Sequence, residues 1–272
     1  MIFILFVDYM SYRRSTHTPE RMIHADATPG RPLESAFAGR LSGLASSLII
    51  NSNINALPGN QLILPDVITD RLQRFSSEFP NATRQSLVAL WMRWHAMRLL
   101  AAVVIPALVL DRRLPVRLDE CGVIFSHEQA YPQAIQITDS AAVFATDDPF
   151  RRFDVLIWQH LDPFIAALAY HGRTSAKLLW GNTAIQFDWF VQQIILEMSD
   201  QGLPLHCDAR ALFGVRLWPD GRSNPLFEPW RTVPAGNNEP RRRKVCCLYY
   251  KLGPGKELCG DCPIGIKVGG MD

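Results

Sequence analysis

Apolar positions recur at helical spacing in several stretches of the chain. Phe37, Leu41, Leu44 and Leu48 lie three or four residues apart, which predicts a helix over Leu33–Leu48, followed by a loop from Asn51 to Gly59. A stronger pattern begins after Pro80-Asn81, where Asn81 or Thr83 can cap a helix that places Leu87, Leu90, Trp91, Trp94, Met97 and Ala101 on one core-facing side. The apolar run Leu99–Leu110 contains Pro106 and is too short to span a bilayer, so it reads as the buried end of that helix. Asp148-Pro149 is an N-cap with proline at the first helical position, and Phe153, Ile157, Leu161, Phe164 and Leu168 carry the spacing to Gly172, with Pro163 expected to kink or divide it. Thr174 or Ser175 then starts a helix in which Leu178, Asn182, Ile185, Trp189, Gln192 and Leu196 share a face. Two amides on that face must be bonded to a loop or open to a cleft, because a buried amide without partners is costly.

Between Leu110 and Thr138 the period shortens. Val123-Ile124-Phe125 and Ala134-Ile135-Gln136-Ile137, separated by turn residues, predict a small antiparallel β element, so the expected class is α+β and predominantly helical. Pro204–Pro240 is rich in Pro, Gly and Asn and reads as connecting chain. Three regions are expected: a poorly ordered N-terminal segment (1–32), a helical body (33–240) and a C-terminal cysteine-rich lobe (241–272). No internal repeat is visible.

Composition narrows the function classes. With 272 residues, 48% hydrophobic and 20% charged, the chain is that of an ordinary globular protein. The net charge of +2 (28 basic less 26 acidic residues) excludes a molecule that binds nucleic acid or membrane through its global charge. The opening run Met1–Val7 is short, has no preceding basic residues and meets Asp8, so neither export nor stable membrane insertion is expected. The expected location is the cytoplasm, with at most a loose association with the inner membrane.

The cysteines carry the chemistry. Cys121 and Cys207 stand alone, whereas Cys246, Cys247, Cys259 and Cys262 fall within seventeen residues. In a reducing compartment that density reads as metal binding or thiol redox chemistry. Cys259-Gly260-Asp261-Cys262 is a knuckle that turns two thiolates toward one metal. The vicinal pair Cys246-Cys247 needs a turn to converge, and Gly253-Pro254-Gly255 can fold the two pairs together. Structural zinc, beside the basic run Arg241-Arg242-Arg243-Lys244, would make a nucleic-acid or interaction module; an iron–sulfur cluster and a dithiol oxidoreductase are the other readings, and spacing alone does not choose among them.

Vicinal cysteines followed by Cys-Gly-Asp-Cys resemble the [2Fe-2S] segment of the FhuF-type siderophore-iron reductases. Further similar stretches are Leu90-Trp91-Met92-Arg93-Trp94, Lys177-Leu178-Leu179-Trp180-Gly181-Asn182-Thr183 with Trp189, Asn224-Pro225-Leu226, and Trp230-Arg231-Thr232-Val233, so the resemblance covers roughly residues 80 to 265. The gap between the pairs is eleven residues here, one longer than the family pattern, with the extra residue assigned to the Gly253–Gly255 turn. The body is also similar to the C-terminal region of siderophore synthetases, from which the cysteines separate it.

The resemblance implies a cytoplasmic ferric-siderophore reductase of iron transport and homeostasis. Cys246, Cys247, Cys259 and Cys262 would hold a [2Fe-2S] cluster, and the substrate would be a ferric siderophore of the hydroxamate type. Trp180, Asn182 and Trp189 would line the chelate pocket, with Arg231 and Arg243 offering positive charge to it. No glycine-rich nucleotide loop precedes a helix, so electrons are expected from an external donor protein or small carrier, and no nucleic-acid partner is expected. His95, His160, Cys121 and the His206-Cys207-Asp208 run are expected to be packing or hydrogen-bonding residues.

Overall fold

The computed structural model describes residues 31–51, 54–125, 130–138, 142–232 and 241–264. Most of the expected N-terminal segment, the Ala235–Asn238 turn and the glycine-rich tail lie outside these residues.

The organising element is a helix over Arg84–Val109, buried on every side from Ser86 onward except at Trp94. The expected single core-facing side is therefore corrected: neighbours cover the helix all round, as the near-continuous apolar sequence after Met97 allows. Thr83 caps it, its hydroxyl accepting from the Ser86 N–H at 3.2 Å. By length and composition this helix could cross a membrane, but 94% of its most apolar window is buried inside the protein. It packs on the helix Ala176–Asp200, on the sheet and on the turns of Gly39–Ser47.

The Leu33–Leu48 segment is not one α-helix. It forms 3-10 turns at Leu33–Ala36 and Gly39–Ser47, separated at Gly39, whose φ of +51° breaks the helical path, and Leu48 opens a strand. That strand, β1 (Leu48–Ile50), lies parallel to β4 (Pro132–Ile137), which pairs antiparallel with β3 (Cys121–Phe125); β2 (Leu57–Pro58) closes the other edge, giving the order β1-β4-β3-β2. The predicted antiparallel pair is thus the centre of a mixed sheet. Val123 stands opposite Ile135, both fully buried. A helix over Pro65–Ser76, absent from the sequence reading, packs Ile68, Leu72 and Phe75 into the core.

Asp148 caps as expected, accepting from the Phe150 N–H at 2.9 Å. The helix it starts is divided into Pro149–Val155, a π-helical turn at Leu156–Leu161 and a helix over Asp162–Gly172. Pro163 has no N–H to give the Gln159 carbonyl, which accepts instead from the Leu118 N–H at 3.3 Å.

Candidate metal centre

The C-terminal lobe is joined to the end of the body by a short ribbon in which Trp230–Thr232 pairs with Arg241–Arg243, Trp230 opposite Arg243. Three contacts seat it on the body. The Trp230 indole donates to Asp188 Oδ2 at 2.9 Å, the Lys251 carbonyl accepts from the Thr83 N–H (3.2 Å) and the Ser86 hydroxyl (3.0 Å), and Gly181 leaves so little room that a Cβ there would lie 2.9 Å from Val245.

Two backbone turns bring the thiols together. Leu248 sits in the left-handed region at φ +59°, and its N–H lies 3.4 Å from Cys246 Sγ, so the chain bends back directly after the vicinal pair. The Cys262 N–H donates to the Cys259 carbonyl at 3.0 Å, closing the second knuckle. Gly253 and Gly255, both at positive φ, carry the chain between them. Across the eleven-residue gap Cys247 Sγ and Cys259 Sγ approach to 3.2 Å, and Cys246 feels the charge of both Cys247 and Cys262. No three Cys, His, Asp or Glu side chains among the described residues are gathered around one point as a single-ion cage.

The electrostatics favour the thiolate at Cys247. Hydrogen bonding from Cys246 and then Cys259 holds the Cys247 pKa far below its ordinary value, against burial and with further help from Arg93 and Arg243. The same bonds push Cys246 and Cys259 up. Arg243, 2% exposed, pairs with Asp261 Oδ2 at 2.9 Å; burial opposes its charge, but Asp261, Cys247 and Cys259 together hold its pKa above the ordinary value. Arg93, 8% exposed on the central helix, is lowered by burial, opposed chiefly by Cys247. Four thiols at the surface of the body with two buried guanidinium groups against them are a donor set suited to a cluster that carries net negative charge.

The lone cysteines lie apart from this group. Cys121 is buried, its Sγ 3.8 Å from His160 Nδ1, and burial raises its pKa to about 12. Cys207 is raised to about 11 by burial, beside a buried ion pair of Arg152 with Asp111 that His206 also joins at 2.8 Å. Neither thiol is activated.

The expected substrate residues are spread over the helix Ala176–Asp200 and the ribbon of the lobe. Trp180 and Asn182 are two positions apart on a helix and so point about 200° away from each other. Asn182 is 1% exposed, with neither amide atom hydrogen-bonded, so it is neither loop-bonded nor open to a cleft. Gln192 instead reaches Asp188 Oδ1 at 3.4 Å. Trp180 and Trp189 are half-buried against the core, Trp189 edge-on to Phe190. Arg243 is buried, beside Asp261 and within the field of Cys247 and Cys259. Arg231 is exposed and donates to the Pro263 carbonyl at 3.2 Å, beside Cys262. Asn224 is a loop pin, its amide donating to the Leu212 and Val215 carbonyls at 2.7 Å each. From the sequence Arg93 reads as a solvated helical charge, and only its place in an otherwise apolar stretch signals burial.

A helical body carrying a small cysteine lobe, its two pairs meeting at Cys247 and Cys259, defines a metal-binding or thiol redox protein, and comparison with known proteins gives its kind. Residues 89–239 match the ferric iron reductase FhuF-like transporter family and residues 243–263 match the FhuF 2Fe-2S C-terminal domain; the chain belongs to this family of ferric-chelate reductases and carries a [2Fe-2S] cluster. It is also 28% identical over 221 residues to the ferric siderophore reductase of Escherichia coli (strain K12), covering 78% of this chain and 80% of that protein.

Proposed function

We propose that the protein reduces the iron of ferric siderophores, with hydroxamate chelates as preferred substrates, in the cytoplasm, and that Cys246, Cys247, Cys259 and Cys262 are the ligands of its cluster. The observation that carries the ligand assignment is the 3.2 Å approach of Cys247 to Cys259, one thiol from each cysteine pair. Residues 33–240 serve as the body and 241–272 as the cluster lobe. A thiol-rich segment of this kind needs a reducing compartment, which supports the cytoplasmic assignment.

When bound, a [2Fe-2S] cluster supplies a one-electron store. The chain's own contribution is to hold the thiolates and to set charge around them. Arg243, locked by Asp261, keeps a buried cation against Cys247 and Cys259. Arg231 presents an exposed cation at the lobe surface beside Cys262, where an anionic chelate or an acidic donor can approach. The substrate Fe(III) gains one electron from an external one-electron carrier by way of the protein. The product Fe(II) is less strongly attracted to the hard oxygen donors, so reduction is also release.

The test is anaerobic purification with iron and acid-labile sulfide analysis, followed by mixing the reduced protein with a ferric hydroxamate. The expected result is recovery of the oxidised absorption spectrum together with Fe(II) captured by a ferrous-specific chelator. A protein that holds zinc without sulfide and binds nucleic acid with salt-dependent affinity would replace this reading with that of a zinc module. Failure of a cluster-loaded protein to reduce any ferric chelate would remove the function while leaving the cluster.

A further inference from the structure

Arg93 is a costly residue to place where it lies. A guanidinium stays charged at all physiological pH and loses its hydration on burial, so a folded protein keeps one in its interior only where other groups offset that loss. Arg93 stands seven residues, two helical turns, beyond Ser86, and therefore on the side of the central helix where Ser86 donates to the Lys251 carbonyl. This is the side that the cysteine lobe covers. The helix is fixed at Arg93 itself as well, because Gln186 Nε2 donates to the Arg93 carbonyl at 3.0 Å. Gly181, on the same helix as Gln186, touches Val245, the residue before Cys246.

Cys247 and Cys259 attract both Arg93 and Arg243, and the situations of the two guanidinium groups differ. Arg243 belongs to the lobe and is paired with the Asp261 carboxylate, which offsets its charge. Arg93 belongs to the body, on a rigid helix, and its strongest attraction is to Cys247. A fixed cation in a poorly solvated site favours each additional negative charge placed beside it, and does so more strongly than it would in water.

We propose that Arg93 is a positioning residue that sets the reduction potential of the cluster, a permanent cation supplied by the body that stabilises the reduced, more negative state. The inference rests on the reading that the four cysteines hold a [2Fe-2S] cluster. It assigns to the body a part in the electron-transfer equilibrium that lies outside the cysteine segment, and it gives opposite roles to two neighbouring charges: Arg93 raises the potential, and Asp261 lowers it.

The test is an anaerobic redox titration of the full-length protein and of Arg93→Gln, Arg93→Lys and Asp261→Asn, followed by cluster absorption and accompanied by iron and sulfide analysis. Arg93→Gln is expected to retain the cluster, but its ratio of reduced to oxidised protein at the wild-type midpoint should fall about tenfold, a shift of about 59 mV for one electron. Arg93→Lys keeps the charge and should titrate close to wild type, and Asp261→Asn should shift in the opposite direction to Arg93→Gln. An unchanged ratio in a cluster-loaded Arg93→Gln overturns the inference, as do shifts of the same sign in Arg93→Gln and Asp261→Asn, which would report solvent access rather than charge. Should Arg93→Gln fail to fold, Arg93→Met removes the charge while filling the space and is read in the same way; failure of both to fold overturns the assignment in favour of a purely structural charge. Absence of iron and sulfide from the wild-type protein would refute the cluster reading itself.

Discussion

Acid should weaken this fold through one buried pair of histidines. His95 Nε2 and His160 Nε2 lie 3.1 Å apart, and His160 Nδ1 lies 2.7 Å from the Val116 carbonyl. A carbonyl only accepts, so His160 Nδ1 carries the proton, His160 Nε2 is bare, and His95 Nε2–H donates to it. Both rings are then neutral, and a further proton on His160 would set two N–H groups head to head. Burial lowers the His160 pKa to about 4, and burial together with His160 lowers His95 well below its ordinary value. Unfolded, His160 titrates near 6.5, so between those values the unfolded chain binds more protons than the folded one and stability falls as pH falls. From 6.5 and about 4, the loss attributable to His160 is about 1.4 kcal/mol at about pH 5.5 and about 2.5 kcal/mol at about pH 4.5. That is a large share of the roughly 5–15 kcal/mol that stabilises a typical domain. Urea unfolding followed by tryptophan fluorescence, with Trp91 stacked on His95 as a local reporter, measures it. His160→Asn, which keeps a donor for Val116, should lose much of the pH slope whatever its absolute stability, and any acid effect on the cluster is common to both proteins. Equal slopes in the two, or a wild type that gains stability on acidification, would refute the reasoning.

Other expectations follow from single contacts. Cys246→Ser or Cys247→Ser should lose the cluster absorption and sulfide, because a hydroxyl is a poor ligand for iron, whereas Cys121→Ser, which replaces a buried neutral thiol beside His160, should keep both. Gly181→Val would drive a side chain into Val245 and should lower the thermal midpoint of the loaded protein, at a cost of about 1–3 kcal/mol, with faster loss of iron to a chelator. Thr83→Ala removes the side-chain cap at the Ser86 N–H and should cost about 1 kcal/mol in denaturant titration.

Local signals along the chain predict the elements that depend on local physics. The caps at Thr83 and Asp148, the division at Pro163 and the knuckle at Cys259 each follow from one residue type acting within four positions. The helix Pro65–Ser76 carried such a signal too, with proline at its first position and Ile68, Leu72 and Phe75 at helical spacing, but its polar residues outweigh that stripe. What could not be read depends on distant partners. β1 is three residues long and is fixed by a strand that begins 82 positions after its last residue (132 − 50), so nothing local marks it as parallel. The candidate site was legible in its thiols and not in its charges. Arg93 resembles any helical arginine until the lobe is laid over it, and Arg243 is one of three consecutive arginines, of which only the third is buried.

The Lys251 carbonyl, which accepts from Thr83 and Ser86, joins the start of the central helix to a segment 165 residues later in the chain. Synthesis runs from the N-terminus, so the helix is made, and its neighbours can pack, long before Lys251 leaves the ribosome. Until then that end of the helix is held by the bonds that Thr83 and Ser86 make with each other and by Arg84, whose guanidinium donates to the His171 and Gly172 carbonyls. The cysteines that flank Lys251 emerge at the same late moment, after the surface that receives them has been built. Maturation therefore has a direction: the body assembles first as a template, and sealing of its central helix coincides with arrival of the metal-binding segment.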